Sequence, residues 1–104
     1  MKTAIKGTGV EVTTEIADYI DQKVRAFDRF VHDGKEALAE VELRKEEGVG
    51  HTGKIYYAEV NLTIDGKLYR ATANEASFQA ALDEVKDEML RELRSTKQKR
   101  LSSI

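Results

Sequence analysis

The residues whose types and spacing come nearest to a chemical signature are Gly48-Val49-Gly50-His51-Thr52-Gly53-Lys54. They satisfy G-x-G-x-x-G and nearly satisfy the phosphate-loop pattern G-x-x-x-x-G-K-[ST]. That chemistry needs a helix directly after the glycines, because the free N–H groups of its first turn face the anion. Here Ile55 occupies the position of the metal-binding Ser/Thr, and the residues from Ile55 onward read as a strand. The segment is therefore expected to be a hairpin loop. His32 and His51 fall in different loops, and there is no cysteine and no Ser-based triad arrangement to join them. Neither a metal site nor a disulfide framework is expected. No carboxylate lies inside an apolar run that would raise its pKa into the range of a general acid. The expectation is a chain that is not an enzyme, with no cofactor, no metal and no small-molecule substrate.

The cations say more. Arg25 and Arg29 belong to one helical segment, Arg91 and Arg94 to another, and Lys97, Lys99 and Arg100 follow closely. Asp21 and Arg25, like Asp87 and Arg91, are four residues apart in the favourable orientation for an intrahelical pair. Such a pair contributes only ~0.2–0.5 kcal/mol, so it does not keep the arginine from a phosphate. The net charge of −2 is unevenly spread. Residues 1–90 carry 12 Lys and Arg against 18 Asp and Glu, a balance of −6, while residues 91–104 carry five against one, a balance of +4. That asymmetry suggests a polyanion contact at the C-terminal end. The competing reading is a solvated helix end whose cations complement the helix dipole.

The elements that must position these residues follow from hydrophobic periodicity. A chain of 104 residues fits one domain. Residues 2–6 form a short first strand, Gly7-Thr8-Gly9 a turn, and Thr13 or Thr14 a cap for the first helix. Ile16, Tyr19, Ile20, Val24, Phe27, Phe30 and Val31 recur at steps of three and four, predicting one helix of about four to five turns that ends at Asp33-Gly34. Arg25 and Arg29 fall on its solvent face; Lys23 sits at the edge of the apolar stripe, where its stem packs and its ammonium reaches out. Residues 37–44 alternate as a half-buried strand does. Asp65-Gly66 between residues 55–64 and 67–73 is the two-residue signal of a type I′ hairpin, which pairs Leu62 with Tyr69, Val60 with Ala71 and Ala58 with Ala73 on one face. Asn74 is expected to cap the second helix, whose buried stripe is Phe78, Ala81, Leu82, Val85, Met89 and Leu93. Beyond Leu93 the apolar pattern fades into a basic helix extension or tail. The order β-α-β-β-β-α predicts an α+β two-layer sandwich, a four-stranded sheet with both helices on one face and the other face wet.

Val10-Glu11-Val12-Thr13 leads into Ile16, Tyr19, Ile20 and Lys23 at the entry to the first helix, and Phe78, Ala81-Leu82-Asp83 and Met89-Leu90-Arg91-Glu92-Leu93 run on to Lys97 and Lys99 in the second. In this order and length, these segments resemble the two helices of the ribosome hibernation-promoting factor family, also known as sigma-54 modulation proteins or ribosome-associated inhibitors. The resemblance implies binding in the decoding channel of the small ribosomal subunit, with helix cations on phosphates of ribosomal RNA, so that translation is blocked by occupancy. By position it carries over Lys23, Arg91, Lys97 and Lys99, with Arg25, Arg29, Arg94 and Arg100 added as neighbouring cations. Ala26 and Glu88 depart from basic positions of the family pattern. Residues 1–93 are then the ribosome-binding domain and 94–104 its basic extension. Longer members append a dimerising C-terminal domain, so a chain ending at Ile104 is expected to be a short form or an excised domain, monomeric away from the ribosome.

The N-terminus lacks the apolar run of a signal peptide and no stretch approaches membrane-spanning length, so a cytoplasmic protein with no membrane contact is expected. Two other functions fit the elements: a stand-alone double-stranded RNA module, and a protein-interaction domain that uses Leu38, Ile55, Tyr57 and Leu68 as an apolar patch on the open sheet face.

Overall fold

The computed structural model describes residues 1–32, 35–46 and 55–102, with side chains placed up to residue 96. The phosphate-loop-like residues 48–54, His51 among them, lie outside the described residues. The element that follows them is a strand, as expected.

The chain runs β1 (Lys2–Thr8), α1 (Thr14–Val24), a 3-10 turn (Arg25–Phe30), β2 (Ala37–Lys45), β3 (Tyr56–Ile64), β4 (Lys67–Glu75) and α2 (Phe78–Ser102). The sheet order is β1-β2-β3-β4, with β1 parallel to β2 and the other two pairs antiparallel. A parallel pair cannot be closed by a tight turn, so the chain crosses over through α1 between β1 and β2. At Gly7 a Cβ would come within 2.6 Å of the Val10 carbonyl oxygen, so only glycine lets the chain fold back there. Asp65 (φ 50°) and Gly66 (φ 81°) both take positive φ, which is the demand of a type I′ turn. The register they set is the expected one: Leu62 faces Tyr69, Val60 faces Ala71 and Ala58 faces Ala73.

Ala39, Val41 and Leu43 of β2, Ala58, Val60 and Leu62 of β3, and Ala71 and Ala73 of β4 share one face and are buried. Against them pack Ile20, Val24 and Phe27 from the first helical segment and Ala81, Leu82, Val85, Met89 and Leu93 from α2. The small alanines under α2 let its axis approach the sheet closely, and larger side chains at those positions would hold it off. This is the two-layer α+β sandwich, with both helices on one sheet face.

Two local features differ from expectation. The first helix does not continue as α-helix to residue 31; it tightens to 3-10 at Arg25. In a 3-10 turn residues i and i+3 eclipse, and Val24, Phe27 and Phe30, three apart, thereby line up toward the core. The cap of α2 is Ser77, not Asn74: its Oγ accepts from the Ala80 N–H at 3.1 Å and its carbonyl from Ala81 N–H at 3.1 Å. Asn74 is held in β4 because Tyr57 pairs with it across the ladder. Beyond Leu93, where a helix extension or a tail was expected, α2 runs on as helix to Ser102. The cap of α1 resolves to Thr13, whose Oγ1 accepts from Ile16 N–H at 3.2 Å.

Candidate nucleic-acid interface

The two helices meet through a polar clasp at the edge of the core. Lys23 Nζ lies 2.9 Å from Asp83 Oδ1, and the Tyr19 hydroxyl donates to the same oxygen at 2.7 Å. The Lys23 ammonium also stands over the Tyr19 ring, 4.7 Å from its centroid. The Asp83 carboxylate holds the Lys23 ammonium in its charged form and raises its pKa. In return Lys23, then Tyr19, pull the Asp83 pKa below the usual carboxylate range, and donation to Asp83 raises that of Tyr19. Lys23 is at the edge of the apolar stripe as expected, and its stem lines the space beside Val24 and Phe27. Its charge, however, is already engaged across the helix pair. The pair is a contact between residues 23 and 83, so no i,i+4 spacing could have announced it.

Asp83→Asn is therefore expected to move two quantities in opposite directions. Loss of the charge-assisted contact lowers stability by about 1 kcal/mol, a figure held down by the exposure of the pair. Release of the Lys23 ammonium and removal of one negative charge strengthen polyanion binding several-fold at low salt. Urea unfolding and ribosome pelleting on the same variant check both; weaker pelleting would show that Asp83 itself serves binding.

The other proposed cations are more open. Arg25 is exposed and bonded to Asp21 at 2.7 Å, the intrahelical pair that its spacing suggested. With both side chains largely in solvent, that pair costs little to exchange. Arg29 is exposed, its guanidinium 5.0 Å from the centroid of the Phe30 ring. Arg91 and Arg94 are exposed on α2 with no ion pair among the described residues. Asp87 faces Lys86 at 3.3 Å instead of Arg91. Lys97, Lys99 and Arg100 fall within α2, on a helix that continues through them, and their side chains lie outside the described residues. Arg94 comes eleven residues after Asp83, roughly three helical turns, and so shares the flank of α2 that meets α1.

The open sheet face is polar, and the apolar patch anticipated on it does not form. Tyr57 is buried there at 8% exposure, beneath the Arg44 guanidinium 4.1 Å from its centroid. Its hydroxyl donates to Glu59 at 2.7 Å; Arg70 (2.7 Å) and Asn61 (3.0 Å) donate to the same carboxylate. Leu38 and Ile55 are half-buried, which leaves Leu68 as the large apolar side chain exposed on this face. The Tyr57 and Arg70 donors hold the Glu59 pKa below its ordinary value, against the opposing pull of burial. The native state thus gains stability from Glu59 at any pH above the ordinary glutamate pKa. That gain disappears as acid takes the pH down through the depressed native value. Glu59→Gln is expected to flatten the fall in stability between neutral pH and pH ~3, read as urea midpoints at the two pH values. An unchanged acid limb would remove Glu59 from the account.

Among the described residues there is no group of three His, Asp or Glu side chains placed to hold a metal ion. No helix of the described residues is long and apolar enough to cross a membrane.

Comparison with known proteins bears on the same helices. Over 97 residues, 93% of this chain, it is 30% identical to the ribosome hibernation promotion factor of Lactococcus lactis subsp. cremoris, and covers 50% of that protein. With the ribosome hibernation promotion factor of Deinococcus radiodurans it shares 28% identity over 93 residues, covering 47% of that protein. The chain spans about half the length of these curated relatives. Its fold superposes on the N-terminal domain of Thermus thermophilus Protein Y with a TM-score of 0.76 and 27% identity, covering 92% of this chain and 99% of that one. It also superposes on a ribosomal subunit interface protein from Coxiella burnetii with a TM-score of 0.73, at 14% identity a likeness of fold alone. The family described as sigma 54 modulation protein / S30EA ribosomal protein matches residues 3–101, nearly the whole of both layers and the basic end of α2, and the chain belongs to that family.

Proposed function

We infer that this chain is a ribosome hibernation factor that binds the small ribosomal subunit in its decoding channel, through phosphates of ribosomal RNA, and idles translation by occupancy. The observation that carries the reading is the alignment of 93% of the chain with a relative named as a ribosome hibernation promotion factor. Physical support comes from the exposed cations. Arg25 and Arg29 are exposed on the first helical segment and Arg91 and Arg94 on α2, and the helix bearing Lys97, Lys99 and Arg100 runs on from them. Some acidic residues of the body have partners of their own, among them Glu59 with Arg70 and Asp83 with Lys23. A phosphate track meets the positive excess at the end of α2, where residues 91–104 carry a balance of +4 against the whole chain's −2.

Such a factor needs no chemistry. It acts where mRNA and tRNA would otherwise lie, in the cytoplasm, and it is a monomer when free. Purified small subunits pelleted with the chain at ~50 and ~200 mM salt test the reading. Binding through several phosphates weakens steeply over that interval because each contact releases a counterion. Pelleting that is absent even at the lower salt would overturn it.

A further inference from the structure

At one end of the molecule, the 3-10 turn, the β3–β4 hairpin and α2 converge on a cleft of about 370 Å³. Its floor is apolar: Ile64 at the end of β3, Tyr69 on β4 and Leu93 on α2. Its rim is cationic, with Arg29, Lys35 and Lys67 coming from three separate segments. Arg29 and Lys67 are each held near an aromatic ring, Arg29 5.0 Å from the Phe30 centroid and Lys67 5.3 Å from that of Tyr69. The one acid on the rim among the described residues, Asp65, is already paired with Lys35 at 3.7 Å. The wall that carries both is braced by the backbone bond from Asp65 N–H to the Glu36 carbonyl at 3.0 Å. The volume is within the range of small-ligand sites, on the order of 300–1,000 Å³.

We propose that this cleft takes one unpaired nucleotide of a single-stranded RNA, its base on the Tyr69–Ile64–Leu93 floor and its phosphate between Arg29 and Lys67. A flat apolar body joined to an anion is the ligand that matches an aromatic floor under a cationic rim, and sites for single strands combine those two parts. Location favours RNA over an acidic peptide. Thr96 of α2 lines the cleft, and the next turn of that helix carries Lys97, Lys99 and Arg100, so a strand leaving the cleft along α2 meets a cation-rich sequence. An acidic peptide would use the rim and leave the floor unfilled. The site adds to the proposed ribosome contact a specific pocket for a base where that reading requires only phosphates, and it rests on that reading only in taking RNA as the partner.

The test uses the full chain free in solution, titrated with hexauridylate and separately with hexaglutamate while backbone amide resonances are followed by NMR. Hexauridylate is expected to shift the amides of Phe30, Ile64, Tyr69 and Leu93, and hexaglutamate to leave the floor residues unmoved. Tyr69→Leu keeps an apolar side chain but removes the stacking surface, and is expected to weaken hexauridylate binding ~10-fold or more. Lys67→Ala, an exposed change that leaves the core intact, is expected to weaken it several-fold and to lower its salt dependence. Shifts confined to the exposed face of α2, equal shifts with hexaglutamate, or unchanged binding by Lys67→Ala would overturn the proposal. Ribosome pelleting by the same samples separates the two claims. Pelleting without cleft shifts removes the nucleotide site and leaves the ribosome reading, whereas cleft shifts without pelleting do the reverse.

Discussion

Replacing Arg91, Arg94, Lys97, Lys99 and Arg100 together by alanine is expected to reduce affinity for the small subunit on the order of 100-fold at ~100 mM salt. It is also expected to flatten the dependence on salt. If all five cations contact phosphates, the slope of log affinity against log salt falls in magnitude by about 4.5, since each contact contributes about 0.9. Co-sedimentation across a salt series measures both. The fold should survive, because Arg91 and Arg94 are exposed and the last buried residue of α2 among the described side chains is Leu93. What the body loses is the favourable placing of cations at a helix C-terminus, ~0.3–1 kcal/mol. Circular dichroism on the same preparation separates lost binding from lost structure. Equal pelleting by variant and parent would place the ribosome contact elsewhere on the surface. A parallel loss of salt dependence when Arg25 and Arg29 alone are changed would place it mainly on the first helix.

The largest effect on stability is expected from Phe27→Ala, about 3–5 kcal/mol. Phe27 is 1% exposed and is among the largest of the fully buried side chains. It sits where the 3-10 turn meets the sheet, close to Val41 and Val60 below and to Leu82 and Val85 of α2 beside it. The void those residues share is only about 10 Å³, about the least that one water molecule requires. Removing the ring therefore opens a cavity lined mostly by apolar side chains, with Lys23 and Lys86 beside them, that a stiff sheet cannot collapse to fill. For a domain whose total stability is on the order of 5–15 kcal/mol, this is a large fraction. The melting temperature should fall by roughly 20 °C. Thermal unfolding monitored by circular dichroism gives the answer, and a shift of only a few degrees would mean that the 3-10 turn relaxes into the gap. Phe30→Ala, at a half-buried ring, should cost distinctly less.

The residues of this chain set out, by local rules, most of its architecture. Alternation with period two marks β2, β3 and β4, a three-to-four-residue stripe marks α2, and Asp65-Gly66 fixes the strand register because both positions tolerate positive φ. The concentration of cations after residue 90 was equally plain, since charge along a chain can be counted without coordinates. These features depend on near neighbours in sequence. Only the tertiary structure decided the rest, because it depends on residues far apart in the chain. Lys23 is engaged by Asp83 because α1 and α2 lie side by side. Tyr57 is buried on the sheet face expected to be wet because Arg44, its cross-strand partner, stacks on it. Asn74 stays in β4 because Tyr57 pairs with it, which passes the capping of α2 to Ser77. The cleft under the end of α2 gathers Arg29, Lys35, Lys67 and Leu93 from four segments. Periodicity assigns each residue to a face, but which faces meet, and which charges are thereby satisfied or left open, is settled only when the layers pack.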